Sequence, residues 1–235
     1  MKKTGKTMLV FLLALGLLFA TVPLAAAGEA VLPVAVMSDL HLYSAGELAP
    51  LEPPAEDTLF FHATIQGQME YESEAILRAA LAAFVASDRQ VLLIPGDLTG
   101  GSLASHRAVA ALLAEVEKTG KQVFVINGNH DIAPDDARRA TAGEFAAIYA
   151  DFGFAQALAR DEGSLSYTAD LGAGYRLLAI DSCIYGENTG EISAATLAWI
   201  LAQCAAAAEK GVTLLAMQHH GLVQHFANQR LLGSD

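Results

Sequence analysis

The chain has 235 residues, 53% hydrophobic and 17% charged, a balance that excludes a disordered polymer and leaves room for one sizeable core or two small ones. Its 26 acidic against 14 basic residues give a formal net charge of −12, which disfavours nucleic-acid polymers and anionic lipid surfaces as partners. Two cysteines, Cys183 and Cys204, are too few for a disulfide scaffold and are expected to be free, buried thiols.

In chain order, the first feature is an apolar run from Met8 to Ala20 behind Lys2, Lys3 and Lys6, broken by Pro23 and closed by Ala25-Ala26-Ala27. A basic start, a short apolar stretch and small residues at its end form a signal-peptide pattern, with cleavage expected after Ala27. Residues 1–27 would be removed and 28–235 would form one extracytoplasmic domain without a stable membrane anchor. No later run approaches the roughly 20 apolar residues needed to span a bilayer.

Val31–Met37 then reads as a buried strand, followed by a long loop from Ser38 to about Met69 rich in proline. Glu70–Ser87 has the pattern of an amphipathic helix. Val91–Pro95 is a second strand and Ser102–Thr119 a helix stopped by Gly120; Val123–Ile126 is a third strand, with a helix near Thr141–Tyr149. This alternation predicts parallel βαβ units. Leu165–Asp170 and Tyr175–Asp181 flank Leu171-Gly172-Ala173-Gly174 and predict a hairpin in a second, partly antiparallel sheet. Ser193–Lys210 is an alanine-rich helix, and Val212–Met217 a last strand ending in Gln218-His219-His220-Gly221.

Four strand ends therefore carry residues able to bind metal: Asp39 with His41, then Asp97, then Asn129 with His130, and finally His219 with His220. In open α/β sheets the carboxyl edge is where ligands bind, so these groups can converge although they are distant in sequence. Each element alone is an ordinary polar turn or helix cap. Their common position after successive strands is what points to a metal site.

The ordered set Asp39-Leu40-His41, Gly96-Asp97, Gly128-Asn129-His130-Asp131 and His219 resembles the signature of the calcineurin-like metallophosphoesterases, over about Val34 to Phe226. The resemblance implies an α/β fold, a four-layer αββα sandwich of two mixed β-sheets flanked by helices. It also implies a phosphoesterase, expected to be secreted from its signal-peptide pattern, that cleaves a small phosphomonoester or phosphodiester with a hydroxide bridging two divalent or trivalent metal ions, Mn, Fe or Zn. By the same resemblance Asp97 bridges the metals, Asp39 and His41 bind the first, and Asn129 and His219 bind the second. His130 contacts phosphate or assists the leaving group. Of the adjacent histidines, His219 is favoured over His220 as the ligand.

The sequence departs from the family pattern twice. Gly100 stands where many members carry an acid that orients the catalytic histidine, and Asp131 is the candidate catalytic residue beside His130 that could serve instead. No Gly-His-x-His follows His219, so a domain lacking its C-terminal part is expected, and a non-catalytic binding module is the alternative reading. Gly-x-Ser-x-Gly and a phosphate-binding Gly-Lys-Ser/Thr loop are absent, which argues against a serine hydrolase and a nucleotide-loop fold. His62 and His225 read as solvated loop residues, His106 as packing in the first turn of its helix, and Asp181 as a turn or cap.

Overall fold

The computed structural model describes residues 31–44 and 68–223. The expected signal segment, most of the loop between Ser38 and Met69, His62 and His225 lie outside the described residues. No helix among the described residues is long and apolar enough to cross a membrane.

Three strands, β1 (Val34–Val36), β2 (Val91–Pro95) and β3 (Gln122–Ile126), form a wholly parallel sheet in the order β1-β2-β3. Nearly every residue of β2 and β3 is buried, as expected of short continuous apolar strands covered on both faces. The crossovers are helices α1 (Ser73–Ala86) and α2 (Leu103–Glu117). Helix α1 buries Leu77, Leu81 and Phe84, and α2 buries Val109, Leu113 and Val116, in each case one stripe at helical spacing. Ser102 caps α2 by accepting from the Ser105 N–H, which fixes where the Gly100-Gly101 turn ends and the helix begins. Helix α3 (Ala142–Ile148) starts with a reciprocal capping box between Thr141 and Glu144, and a π-helical turn, Ala150–Phe154, follows it.

The second sheet has the order β4-β5-β6-β7, with β4 (Ala159–Arg160), β5 (Tyr167–Gly172), β6 (Tyr175–Ile180) and β7 (Thr213–Gln218). Its first three strands are antiparallel, and β6 pairs with β7 in parallel through helix α4 (Ala194–Glu209). The expected hairpin is thus present, while the mixed character predicted for both sheets holds only for the second. The sheets meet across an apolar core that includes Phe124, Phe154, Tyr167 and Leu177. Tyr167 is fully buried on β5 and its hydroxyl donates to the Val125 carbonyl of β3 at 2.8 Å, so its single polar atom is satisfied across the two layers. This packing brings the carboxyl ends of β1, β2, β3 and β7 to one edge of the molecule.

Candidate metal centre

The loops after β1 and β2 run side by side beyond the end of the ladder. The Asp39 N–H donates to the Gly96 carbonyl (3.2 Å), His41 to Asp97 (3.0 Å) and Leu42 to Leu98 (3.0 Å). Asp39, His41 and Asp97 all lie in the left-handed backbone region, with φ of 55°, 39° and 51°. Side chains rarely adopt that conformation, and such residues persist where the surrounding bonds over-determine them, which is typical of functional sites. The loop after β3 closes on the same point. A Cβ at Gly96 would fall 2.6 Å from Gly128 Cα, and one at Gly128 only 2.2 Å from Asp97 Oδ1, so both glycines are required by the close approach.

These loops assemble a tight group. One ligand atom from each of Asp39, His41 and Asp97 lies within 4.8 Å of the others. His41 Nε2 is 3.9 Å from Asp39 Oδ1 and 3.6 Å from Asp97 Oδ2. Burial holds the His41 imidazole below its ordinary pKa, against the opposing pull of Asp97, which favours the neutral ring that can donate a lone pair. On the other side, His219 Nε2 stands 3.5 Å from the same Asp97 Oδ2 and 3.0 Å from Asn129 Oδ1. Asp97 is nearly inaccessible, while Asp39 is 57% exposed and opens the group to solvent.

The donor set fits a cation. His219 Nδ1 lies 3.0 Å from the Pro95 carbonyl, which can only accept, so Nδ1 carries a proton and Nε2 is the ring nitrogen turned inward. Nε2 faces the Asn129 amide oxygen and the Asp97 carboxylate oxygen, so three atoms able to ligate a cation surround one space. Oxygen and imidazole ligands of this kind suit Mn, Fe or Zn. On the opposite side His41, Asp39 and Asp97 make a second such group, with Asp97 common to both.

The family model for calcineurin-like phosphoesterases matches residues 32–232. The chain belongs to the calcineurin-like phosphoesterase family. A curated relative from Psychrobacter arcticus, named "Probable cyclic nucleotide phosphodiesterase", is 27% identical over 189 residues, which cover 79% of this chain and 58% of that protein. The chain therefore spans little more than half the length of that relative. Among solved structures, a dimetal phosphatase from Danio rerio superposes with a TM-score of 0.59 at 13% identity, covering 87% of this chain and 74% of that one; it shares the fold.

The remaining expected residues divide. His130 donates its backbone N–H to Asp97 Oδ1 (2.9 Å), and its half-buried ring lies edge-on to His41 with centroids 5.2 Å apart, so it borders the group. Its backbone carbonyl accepts from Arg139 Nη2 at 2.7 Å. Asp131 is placed differently from the orienting role considered for it. It is fully buried, with one carboxylate oxygen accepting from the Thr99 N–H (3.1 Å) and the other from Gly128 (2.8 Å). Both oxygens are thus committed to backbone, and the side chain fastens the β2 loop to the β3 loop. Burial, reinforced by the Asp97 charge, pushes its pKa well above the ordinary carboxylate range.

His220 turns away from the metal centre and pairs through Nδ1 with the Ser182 hydroxyl at 3.0 Å. His106 is fully buried: Nε2 donates to the Asp131 carbonyl (2.9 Å), leaving Nδ1 to accept from the Tyr149 hydroxyl (2.9 Å). It is a packing residue, but one wired to the loop that carries Asn129 and His130. Asp181 ties Asn127 at the end of β3 to the Leu165 N–H and the Tyr185 hydroxyl. Cys183 is half-buried and Cys204 exposed; both are free, so the expectation of two buried thiols fails for Cys204. Sequence reasoning missed Asn188, whose Oδ1 accepts from Asn129 Nδ2 at 3.3 Å. Its Glu-Asn-Thr context carries no pattern that could have singled it out.

Proposed function

We propose that the chain is a metal-dependent phosphoesterase whose centre holds two cations, one between Asp39, His41 and Asp97, the other between Asp97, Asn129 and His219. The observation that carries this reading is the position of Asp97 Oδ2, 3.6 Å from His41 Nε2 and 3.5 Å from His219 Nε2, a carboxylate between two inward-facing imidazoles. When bound, such a pair of cations polarises a phosphoryl oxygen and lowers the pKa of coordinated water. The protein's part is to fix the ligands: buried Asp97 is shared, burial favours the neutral form of His41, and the Pro95 carbonyl orients the His219 ring through Nδ1. His130 borders the same space and is the group to contact the phosphoryl oxygens or hand a proton to the leaving oxygen. Beside Asp39 and His41, a cavity of about 520 Å³ is walled by Met37, Leu40, Met69 and Ile76. It offers an apolar surface to the organic part of a small ester.

The name of the Psychrobacter relative makes a cyclic nucleotide the first phosphodiester to try, with a phosphomonoester beside it. The pattern in residues 1–27 supports an extracytoplasmic location. The test is hydrolysis of a cyclic nucleotide, bis-p-nitrophenyl phosphate and p-nitrophenyl phosphate by the purified chain supplied with Mn or Zn. Turnover of at least one ester is expected, lost on chelation and in Asp97→Asn. Undiminished turnover in Asp97→Asn, or in chelator, would contradict the proposal. Cation uptake without hydrolysis of any ester would instead support a metal-holding binding module.

A further inference from the structure

We infer that Asn188 is a positioning residue that turns the Asn129 side chain so that its oxygen, and not its nitrogen, faces the metal centre. The inference rests on the proposed function and extends it to a loop that no motif marks. The two ends of a side-chain amide have nearly the same shape, but only the oxygen can ligate a cation. What selects between them is the partner available to the NH2 group. Here Asn129 Nδ2 donates to Asn188 Oδ1 at 3.3 Å, and Asn129 Oδ1 is thereby left 3.0 Å from His219 Nε2. Asn188 is exposed at the rim of the centre, where it accepts from a ligand residue without itself entering the group.

The loop that carries it, Ser182–Gly190, is built to stay in place. Its ends are joined by a bridge between Cys183 and Gly190 and by the Glu191 N–H donating to the Ser182 carbonyl at 3.1 Å. Its root is held by His220, whose backbone N–H donates to Ser182 Oγ (3.2 Å) and whose ring pairs with the same hydroxyl. The ring lies so close to Gly190 that a Cβ there would fall 2.4 Å from Nδ1. The two histidines at the end of β7 therefore divide the work. His219 faces the metal centre, and His220 anchors the loop that sets the amide of the opposite ligand. Partners of this kind, which orient a metal ligand, typically govern metal affinity by 10- to 100-fold.

The test is calorimetric titration of Mn²⁺ into the metal-free full chain for wild type, Asn188→Ala and Asn188→Asp, with urea unfolding of each metal-free protein alongside. Asn188→Ala is expected to weaken the site containing Asn129 by about 10-fold, with the urea midpoint unchanged. In the metal-free protein the Asn129 side-chain NH2 resonances should also move. Asn188→Asp keeps an acceptor oxygen and should bind at least as tightly as wild type. Wild-type affinity in Asn188→Ala would overturn the inference, as would a fall in its urea midpoint that accounts for the loss. A wild-type chain that takes up no Mn²⁺ would instead overturn the proposed function, and the wild-type titration alone identifies that outcome.

Discussion

The two sheets bury their elements unequally. In the parallel sheet, β2 and β3 are almost entirely covered and α2 buries six of its residues, from Ser105 to Val116. In the second sheet, β7 is largely exposed or half-buried, and α4 buries only Thr196 and Ala207 while showing Leu197 and Leu201 to the surface. Three of the four loops that carry the proposed ligands spring from the first sheet, and His219 comes from the second. Metal sites need closely held ligands, and two of the strands that feed the group, β2 and β3, are densely packed, whereas β1 and β7 are largely half-buried or exposed. His219, at the end of β7, is tied back to the first sheet through the Pro95 carbonyl.

This contrast can be broken most severely at the loop contacts of the first sheet. Gly128→Ala would drive a methyl group into Asp97 and should abolish metal uptake and turnover together, read by metal content and ester hydrolysis. Asp131→Asn comes next. It replaces one of two required acceptors with a donor facing a backbone N–H, and should destabilise the metal-free protein by about 3 kcal/mol, the cost of a buried unsatisfied donor with its lost bond. Urea unfolding checks this; a change near zero would remove Asp131 from its role as the clasp between the β2 and β3 loops. In the second sheet the same kind of insult should matter little. Leu201→Lys on α4 should change stability by less than about 0.5 kcal/mol, as exposed positions do, without effect on turnover.

The thiols provide the mildest probe of the same difference. Burial raises the Cys183 thiol far above its ordinary pKa, with the Asp181 charge adding to the effect, whereas Cys204 is exposed on α4. Iodoacetamide should label Cys204 first in the native protein and reach Cys183 only on unfolding, as mass spectrometry of timed samples would show.

Much of the first sheet was legible because its signals are local. The run Val91–Pro95 matches β2 residue for residue, and Ser102 was readable as the start of α2 because a cap depends on neighbouring residues alone. Strand β1 proved shorter than the apolar run Val31–Met37, chiefly because it begins only after Pro33, which has no N–H to give to a ladder. Helix α1 begins at Ser73 and not Glu70, because Glu70–Glu72 form a turn in which Glu72 makes no side-chain cap. Strand β5 starts at Tyr167, two residues later than expected, as the Leu165 N–H is drawn off by the Asp181 carboxylate. The two-residue β4 and the π-helical turn leave no periodic trace; the turn depends on Gly153 at φ 121° beneath the Tyr167 ring.

At the site, residue types at strand ends marked Asp39, His41, Asp97, Asn129, His130, His219 and His220, the family resemblance singled out Asp39, His41, Asp97, Asn129 and His219 as ligands, and the fold brings those five together. Second partners were not legible. That Asp131 spends both oxygens on backbone, that His106 supports its carbonyl, and that Asn188 meets Asn129 are facts of three dimensions, created when loops distant in sequence touch. The choice between His219 and His220 depends in the same way on which face of the strand end looks toward Pro95.

The central claim is that Asp97 stands between two cations, and metal content measures it most directly. Elemental analysis of the chain after loading with Mn and removal of free metal should give two ions per wild-type chain, with both lost or severely weakened in Asp97→Asn. An Asp97→Asn protein that still carried the wild-type complement would contradict the account.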